Sequence, residues 1–189
     1  MYDEEVKEFM NLNGHETPAK LAPELALLRL RLIQEELTEI VIALQENDII
    51  GVADGLADLK YVIVGTALAY DMKLLHFPSQ LFELPPSLGN AAARLSLANE
   101  LIRAMADLPR DLMDWPISHD LVRILNKLNT TVETTAVLMK LPLYALFLEV
   151  HASNMTKSAG RSATVKGGLK GESYRMPDIA GVLMKARLV

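Results

Sequence analysis

The chain has 189 residues, half of them hydrophobic but only 5% aromatic, with no cysteine and a formal net charge of −5. That length reads most economically as one domain, 1–189, with a sizeable core. The missing cysteines exclude disulfides and thiolate metal sites, and the negative balance argues against a nucleic-acid partner.

The acidic start Met1-Tyr2-Asp3-Glu4-Glu5 does not read as a secretory or mitochondrial signal. Apolar runs such as 136–150 are interrupted by Lys140 and Pro142, so no membrane span and a cytoplasmic location are expected. Glu4 to Asn11 predicts a short helix with Val6, Phe9 and Met10 inward, followed by a loop holding Gly14 and His15. Pro18 and Pro23 break the chain, and Pro23 suits the first turn of a long helix to Leu44. Within that helix Leu32, Ile33, Leu37, Ile40, Val41 and Leu44 repeat at helical spacing. Gln45-Glu46-Asn47-Asp48 reads as a turn with Asp48 as N-cap. Ile49, Val52, Leu56, Leu59 and Val62 then carry a second helix to Ala69 or Met72.

Two acidic clusters flank that turn: Glu35-Glu36-Leu37-Thr38-Glu39 and Asp54-Gly55-Leu56-Ala57-Asp58. Glu36 and Glu39 share one helix face, and Asp54 and Asp58 share another. A short connection makes the two helices antiparallel, and both pairs stand about ten residues from Asn47, hence at one level. Facing carboxylates repel and raise one another's pKa, a penalty that a cation removes. A hard divalent ion with oxygen ligands is the natural occupant, Mg²⁺ first and Mn²⁺ as an alternative. The competing reading is a solvated acidic face. Arg29 and Arg31, one to two turns before the glutamates, are likewise open to phosphate contact or to surface pairing with carboxylates.

Further on, Met72-Lys73-Leu74-Leu75-His76-Phe77-Pro78 and onward to Leu84 is echoed by Met139-Lys140-Leu141-Pro142 and onward to Val150. Upstream, Glu36-Leu37 aligns with Glu100-Leu101, and Val64 and Thr66 with Val132 and Thr134. We read a faded duplication of 24–84 in 90–150, joined by Pro85-Pro86-Ser87-Leu88-Gly89. Its chemistry is gone, since Glu35 becomes Asn99, Glu39 becomes Arg103 and Asp58 falls near Leu125 or Asn126. An unrelated helical insertion is the rival reading. Either way the second half supplies packing helices, and a homodimer or a monomer with an internal pseudo-dimer both remain open. Trp115 in the connector reads as packing, and His76 and His119 stand without a second histidine at ligand spacing.

From 151 to 189 the chain turns basic: Lys157, Arg161, Lys166, Lys170 and Arg175 stand against Glu172 between 152 and 175. Glycines interleave with them, so Ser158 to Ser173 is expected to be a loop or weak hairpin. Such a tail suits a small anionic ligand. Asn154 and Lys157, three apart at a helix end, can present an amide and an ammonium to it.

The motif Glu35-Glu36-x-x-Glu39 followed by Leu56-Ala57-Asp58-x-x-Tyr61-Val62 resembles the all-α nucleoside triphosphate pyrophosphatases, the MazG and phosphoribosyl-ATP pyrophosphohydrolase-like group. Glu149-Val150-His151-Ala152-Ser153-Asn154-Met155-Thr156-Lys157 and Lys170-Gly171-x-x-Tyr174-x-x-Pro177-Asp178 extend the resemblance in the same order. It implies an all-α helical bundle that cleaves a nucleoside triphosphate to monophosphate and pyrophosphate. It implies Glu36, Glu39 and Asp58 as Mg²⁺ ligands and a catalytic role for Glu35. It further implies that Asn154, Lys157, Lys170 and Tyr174 contact the nucleotide or its phosphates. The family's second cluster is usually Glu-x-x-Asp, which would put Glu where Gly55 stands. Either Asp54 supplies the missing oxygen or the metal is held less tightly. The family's Phe-His near the first helix is Phe9-Met10 here. The same two departures motivate an alternative, a nucleotide-binding or scaffold protein of this fold with weakened catalysis.

Overall fold

The computed structural model describes residues 2–20, 22–75, 91–106, 119–157 and 171–189. The connectors holding Pro85-Pro86, Trp115 and Lys170 lie outside them, as does His76. The described residues form seven helices and no strand, an all-α bundle. In order these are α1 (Tyr2–Leu12), α2 (Pro23–Glu46), α3 (Ile49–Ala69), α4 (Ala91–Met105), α5 (His119–Leu138), α6 (Leu143–Asn154) and α7 (Ile179–Lys185). No single helix among them is long and apolar enough to cross a membrane.

The α2–α3 hairpin forms because its turn satisfies both helix ends. Asn47 takes the left-handed conformation (φ 59°), and the Asp48 N–H bonds back to the Ala43 carbonyl at 2.9 Å. Asp48 then caps α3, its carboxylate accepting from the Ile50 N–H at 3.0 Å, as the sequence predicts. Arg94 reaches over from α4 and donates to the Leu44 carbonyl at 3.0 Å, a cation at the C-terminal end of α2.

Apolar residues run almost all the way round α3, a pattern that places a helix inside a protein rather than on its surface. It packs against α1, α2, α5, α6 and α7. Leu56, Leu59, Ile63 and Val64 are fully buried along it. It approaches α2 tightly at Gly55, where an added Cβ would stand 2.6 Å from Ile40 Cγ1. Gly55 therefore faces the α2 interface.

The second half docks through a buried polar group. Lys60 has no exposed surface, and its ammonium donates to Asn129 Oδ1 at 2.5 Å and Glu133 Oε1 at 2.6 Å, both on α5. The Tyr2 ring covers it at 4.3 Å, adding a cation–π contact. Burial pulls the Lys60 pKa below its ordinary value, against the opposing pull of Glu133. Asn126 and Asn129 also bind the Leu75 backbone, at 2.6 Å to its N–H and 3.1 Å to its carbonyl. Of the proposed duplicate positions, Leu37 with Leu101 and Val64 with Val132 are buried in both halves. The first-half counterpart of α6 falls within 76–90, outside the described residues.

Two stability measurements follow from this packing. Lys60→Met removes the ammonium from beside Glu133 and is expected to cost about 3 kcal/mol, the lower end for a broken buried pair because Glu133 reaches solvent. Lys60→Met combined with Glu133→Leu recovers most of that loss in urea unfolding. Gly55→Ala gains about 1 kcal/mol of helix propensity, but overpacking a tight interface costs about 1–3 kcal/mol. A net loss is expected, and a more stable variant would show that the helices part freely at Ile40.

Candidate active site

One cavity of about 490 Å³ opens between α2, α3, the ends of α1 and α6, and the segment leading into α7. Glu36 and Glu39 line it from α2, and Asp54 and Asp58 from α3. The hairpin explains this convergence: equal distances from the Asn47 turn bring the two acidic pairs to one level. Glu36 is buried, Asp54 and Asp58 are half-buried, and Glu39 is exposed at the mouth. Asp54, one residue before Gly55, turns toward the cavity while Gly55 turns toward Ile40. An oxygen from α3 is thus available without a carboxylate at position 55.

Glu35 lies elsewhere. It lines a shallow outer depression with Arg31, Gln34, Thr38 and Glu39, and pairs with Arg31 at 3.6 Å, one turn away. Glu39 borders both the depression and the cavity. Arg31 therefore follows the surface-pairing reading. Arg29 does not: it is nine-tenths buried and lines the cavity. Burial brings its pKa down to about 10. His15 lines the same end, its pKa lowered by burial and by Arg29.

Asn154 and Lys157 face the carboxylates from the end of α6, with the Lys157 ammonium 2.5 Å from Asn154 Oδ1. Tyr174 also lines the cavity, whereas Lys170 falls outside the described residues. The structure adds two side chains to the site whose roles sequence reasoning missed. Tyr61, one turn after Asp58, lines the cavity, and its hydroxyl shares a 3.0 Å hydrogen bond with His151 Nδ1. His151 Nε2 stands 3.5 Å from Glu8. Burial drives the Tyr61 phenol well above its usual range, so it stays protonated. The available signal was spacing: Tyr61 follows Asp58 by three, and His151 precedes Asn154 by three.

The chain's last segment forms one wall, through Met176, Pro177 and Asp178. Glu149 holds it, accepting from Arg175 at 2.7 Å and from the Asp178 N–H at 2.8 Å. Ser153 donates to the Arg175 carbonyl at 2.6 Å, and Thr156 Oγ1 accepts from the Arg175 N–H at 2.9 Å. The bond from Asp178, then the Arg175 guanidinium, hold the Glu149 carboxyl below its ordinary 4.5. Its contribution is therefore complete above that value and is lost as pH falls through the lower folded pKa. Amide exchange at Asp178 should accelerate in that acid window, and Glu149→Gln should abolish the pH dependence. Exchange insensitive to both would mean that another contact holds the segment.

Residues 4–80 match the family model of phosphoribosyl-ATP pyrophosphohydrolase, a range that includes Glu36, Glu39, Asp54 and Asp58. No curated protein and no solved structure matches the chain. Over this region the chain is similar to the phosphoribosyl-ATP pyrophosphohydrolase family, part of the MazG-like all-α nucleoside triphosphate pyrophosphatase superfamily, and its bundle is likewise all-α.

Proposed function

We propose that the protein is a Mg²⁺-dependent nucleoside triphosphate pyrophosphohydrolase, releasing monophosphate and pyrophosphate in nucleotide-pool housekeeping. The observation that carries this reading is one cavity lined by Glu36, Glu39, Asp54 and Asp58 together with Asn154, Lys157 and Tyr174.

The donor set fits the ion by its chemistry. Glu36, Glu39, Asp54 and Asp58 offer only hard oxygen ligands, which suit Mg²⁺ and equally Mn²⁺. Among the described residues no three acidic or imidazole groups converge into a ready-made cage. That is compatible with Mg²⁺, which takes few carboxylates and fills its shell with waters and phosphates. When bound, the ion supplies neutralisation of phosphate charge and polarisation of the phosphoryl oxygens. Charge balance favours the same conclusion: five carboxylates, Asp178 included, outnumber Arg29 and Lys157, so a bare triphosphate is repelled from the cavity.

The protein's own groups bind and orient. Glu39 at the mouth, with Glu35 beside it on the outer depression, can orient an entering water and take its proton. Attack of that water on the α–β anhydride breaks the bridging P–O bond, and Lys157 meets the charge gathering on the departing pyrophosphate. Tyr61, kept protonated, can donate toward the cavity when His151 carries its proton on Nδ1 and donates to the phenol oxygen. The segment at Met176–Asp178 walls off bulk water. Tyr174, and Lys170 beyond the described residues, are proposed to hold the nucleotide.

Glu36→Gln and Asp58→Asn should each lower Mg²⁺-dependent pyrophosphate release about 10²-fold or more, with the melting temperature held or raised as like charges separate. Glu35→Gln should cost less, because its carboxylate stands outside the cavity. Unchanged turnover in the first two variants would refute the site. Nucleotide binding by the unaltered protein, without pyrophosphate release at any Mg²⁺ concentration, would make it a binding protein.

A further inference from the structure

Beside Val6 and Met10 the cavity wall holds a buried cation, Arg29, with Tyr70 as its electrostatic neighbour. Arg29 is nine-tenths buried, and its Nε is fully buried with no hydrogen-bond partner. Among the described residues no carboxylate forms an ion pair with it. A guanidinium taken out of water normally gains paired acceptors in exchange. Its seat is specific: Gly65 leaves room for it, since an added Cβ would come within 3.3 Å of Nη1. The surrounding wall is largely apolar, from Val6, Phe9, Met10 and Leu32, with His15 beside them.

Position gives the ligand group. Arg29 precedes Glu36 by seven residues on α2, and Gly65 follows Asp58 by seven on α3. On both antiparallel helices the guanidinium thus lies two turns, about 10 Å, from the carboxylates. A nucleotide with its phosphates at the carboxylates carries its base about that far. Apolar walls accept a flat ring, and the planar fork of arginine matches two adjacent acceptors.

We infer that Arg29 is a specificity-determining residue that reads a base presenting two adjacent acceptors. Guanine offers O6 and N7, and cytosine offers O2 and N3. Adenine sets its N6 amino donor beside N7 and is disfavoured. This assignment rests on the pyrophosphohydrolase reading for the position of the phosphates, but it is tested without turnover.

The experiment is calorimetric binding of GMP, CMP, UMP and AMP to the full chain with Mg²⁺, for the unaltered protein, Arg29→Lys and Arg29→Met. GMP or CMP should bind at least 10-fold more tightly than AMP, and which of the two leads identifies the base. Arg29→Met should erase the ranking, and Arg29→Lys, which lacks the fork, should recover it only in part. Arg29→Met should also melt at a higher temperature without ligand, because it removes a desolvated cation; a structural arginine would melt lower. AMP binding as tightly as GMP and CMP overturns the inference, as does a ranking that survives Arg29→Met or the absence of binding by all four. Competition by ribose 5-phosphate that is lost in Arg29→Met also overturns it, since Arg29 would then hold a second phosphate. Pyrophosphate release from the matching triphosphates is scored separately. Its absence with the base ranking intact sinks the hydrolase reading and leaves Arg29 as the base reader.

Discussion

The antiparallel pairing of α2 and α3 is the constraint on which the rest of the molecule depends. The Asn47–Asp48 turn fixes the register of the two helices, and Gly55 against Ile40 fixes how closely they approach. Register puts Glu36, Glu39, Asp54 and Asp58 at one level. Close approach turns that level into a cavity wall. A slip of one residue on either helix would rotate its carboxylates by about 100° and send one pair into the interface.

Helix pairing, capping and the acidic level were legible because each follows from local periodicity. The 3.6-residue repeat and the Asp48 cap need no knowledge of distant residues, and α2, α3 and the Asp54–Asp58 face follow from them. What the sequence left open depends on neighbours far along the chain. Arg29 and Arg31 are two apart and chemically alike, yet one is buried beside Gly65 and the other pairs with Glu35 on the surface. Nothing local separates them. The choice at Gly55 was also tertiary, since only the position of Ile40 shows that this residue faces the partner helix. Lys60 gave no local sign of burial, because its partners Asn129 and Glu133 lie some seventy residues away.

The second half and the tail act on the site through that same hairpin. Lys60 follows Asp58 by two on α3, so its bonds to α5 help to hold the helix that carries the aspartates. From the other side, Glu149 and Ser153 on α6 fasten the segment before α7. The residue between them, His151, hydrogen-bonds the Tyr61 hydroxyl. One helix thus both fastens the wall and holds the Tyr61 hydroxyl, so a disturbance of α6 reaches the cavity by two routes.

The two buried cations separate structure from function. Lys60 has two oxygen acceptors and an aromatic face within reach, so its charge is accounted for by the fold. Arg29 is also buried, but it lines the cavity, and its Nε has no hydrogen-bond partner. Packing alone gives no reason to keep it, because an apolar side chain of similar volume would fill the space at lower cost. The carboxylates line the same cavity two turns away along both helices. Under the proposed function one occupant would bring a cation to the carboxylates and acceptors to the guanidinium. A metal-bound nucleotide has those two ends in that order, and the spacing of Arg29 from Glu36 matches the length between them.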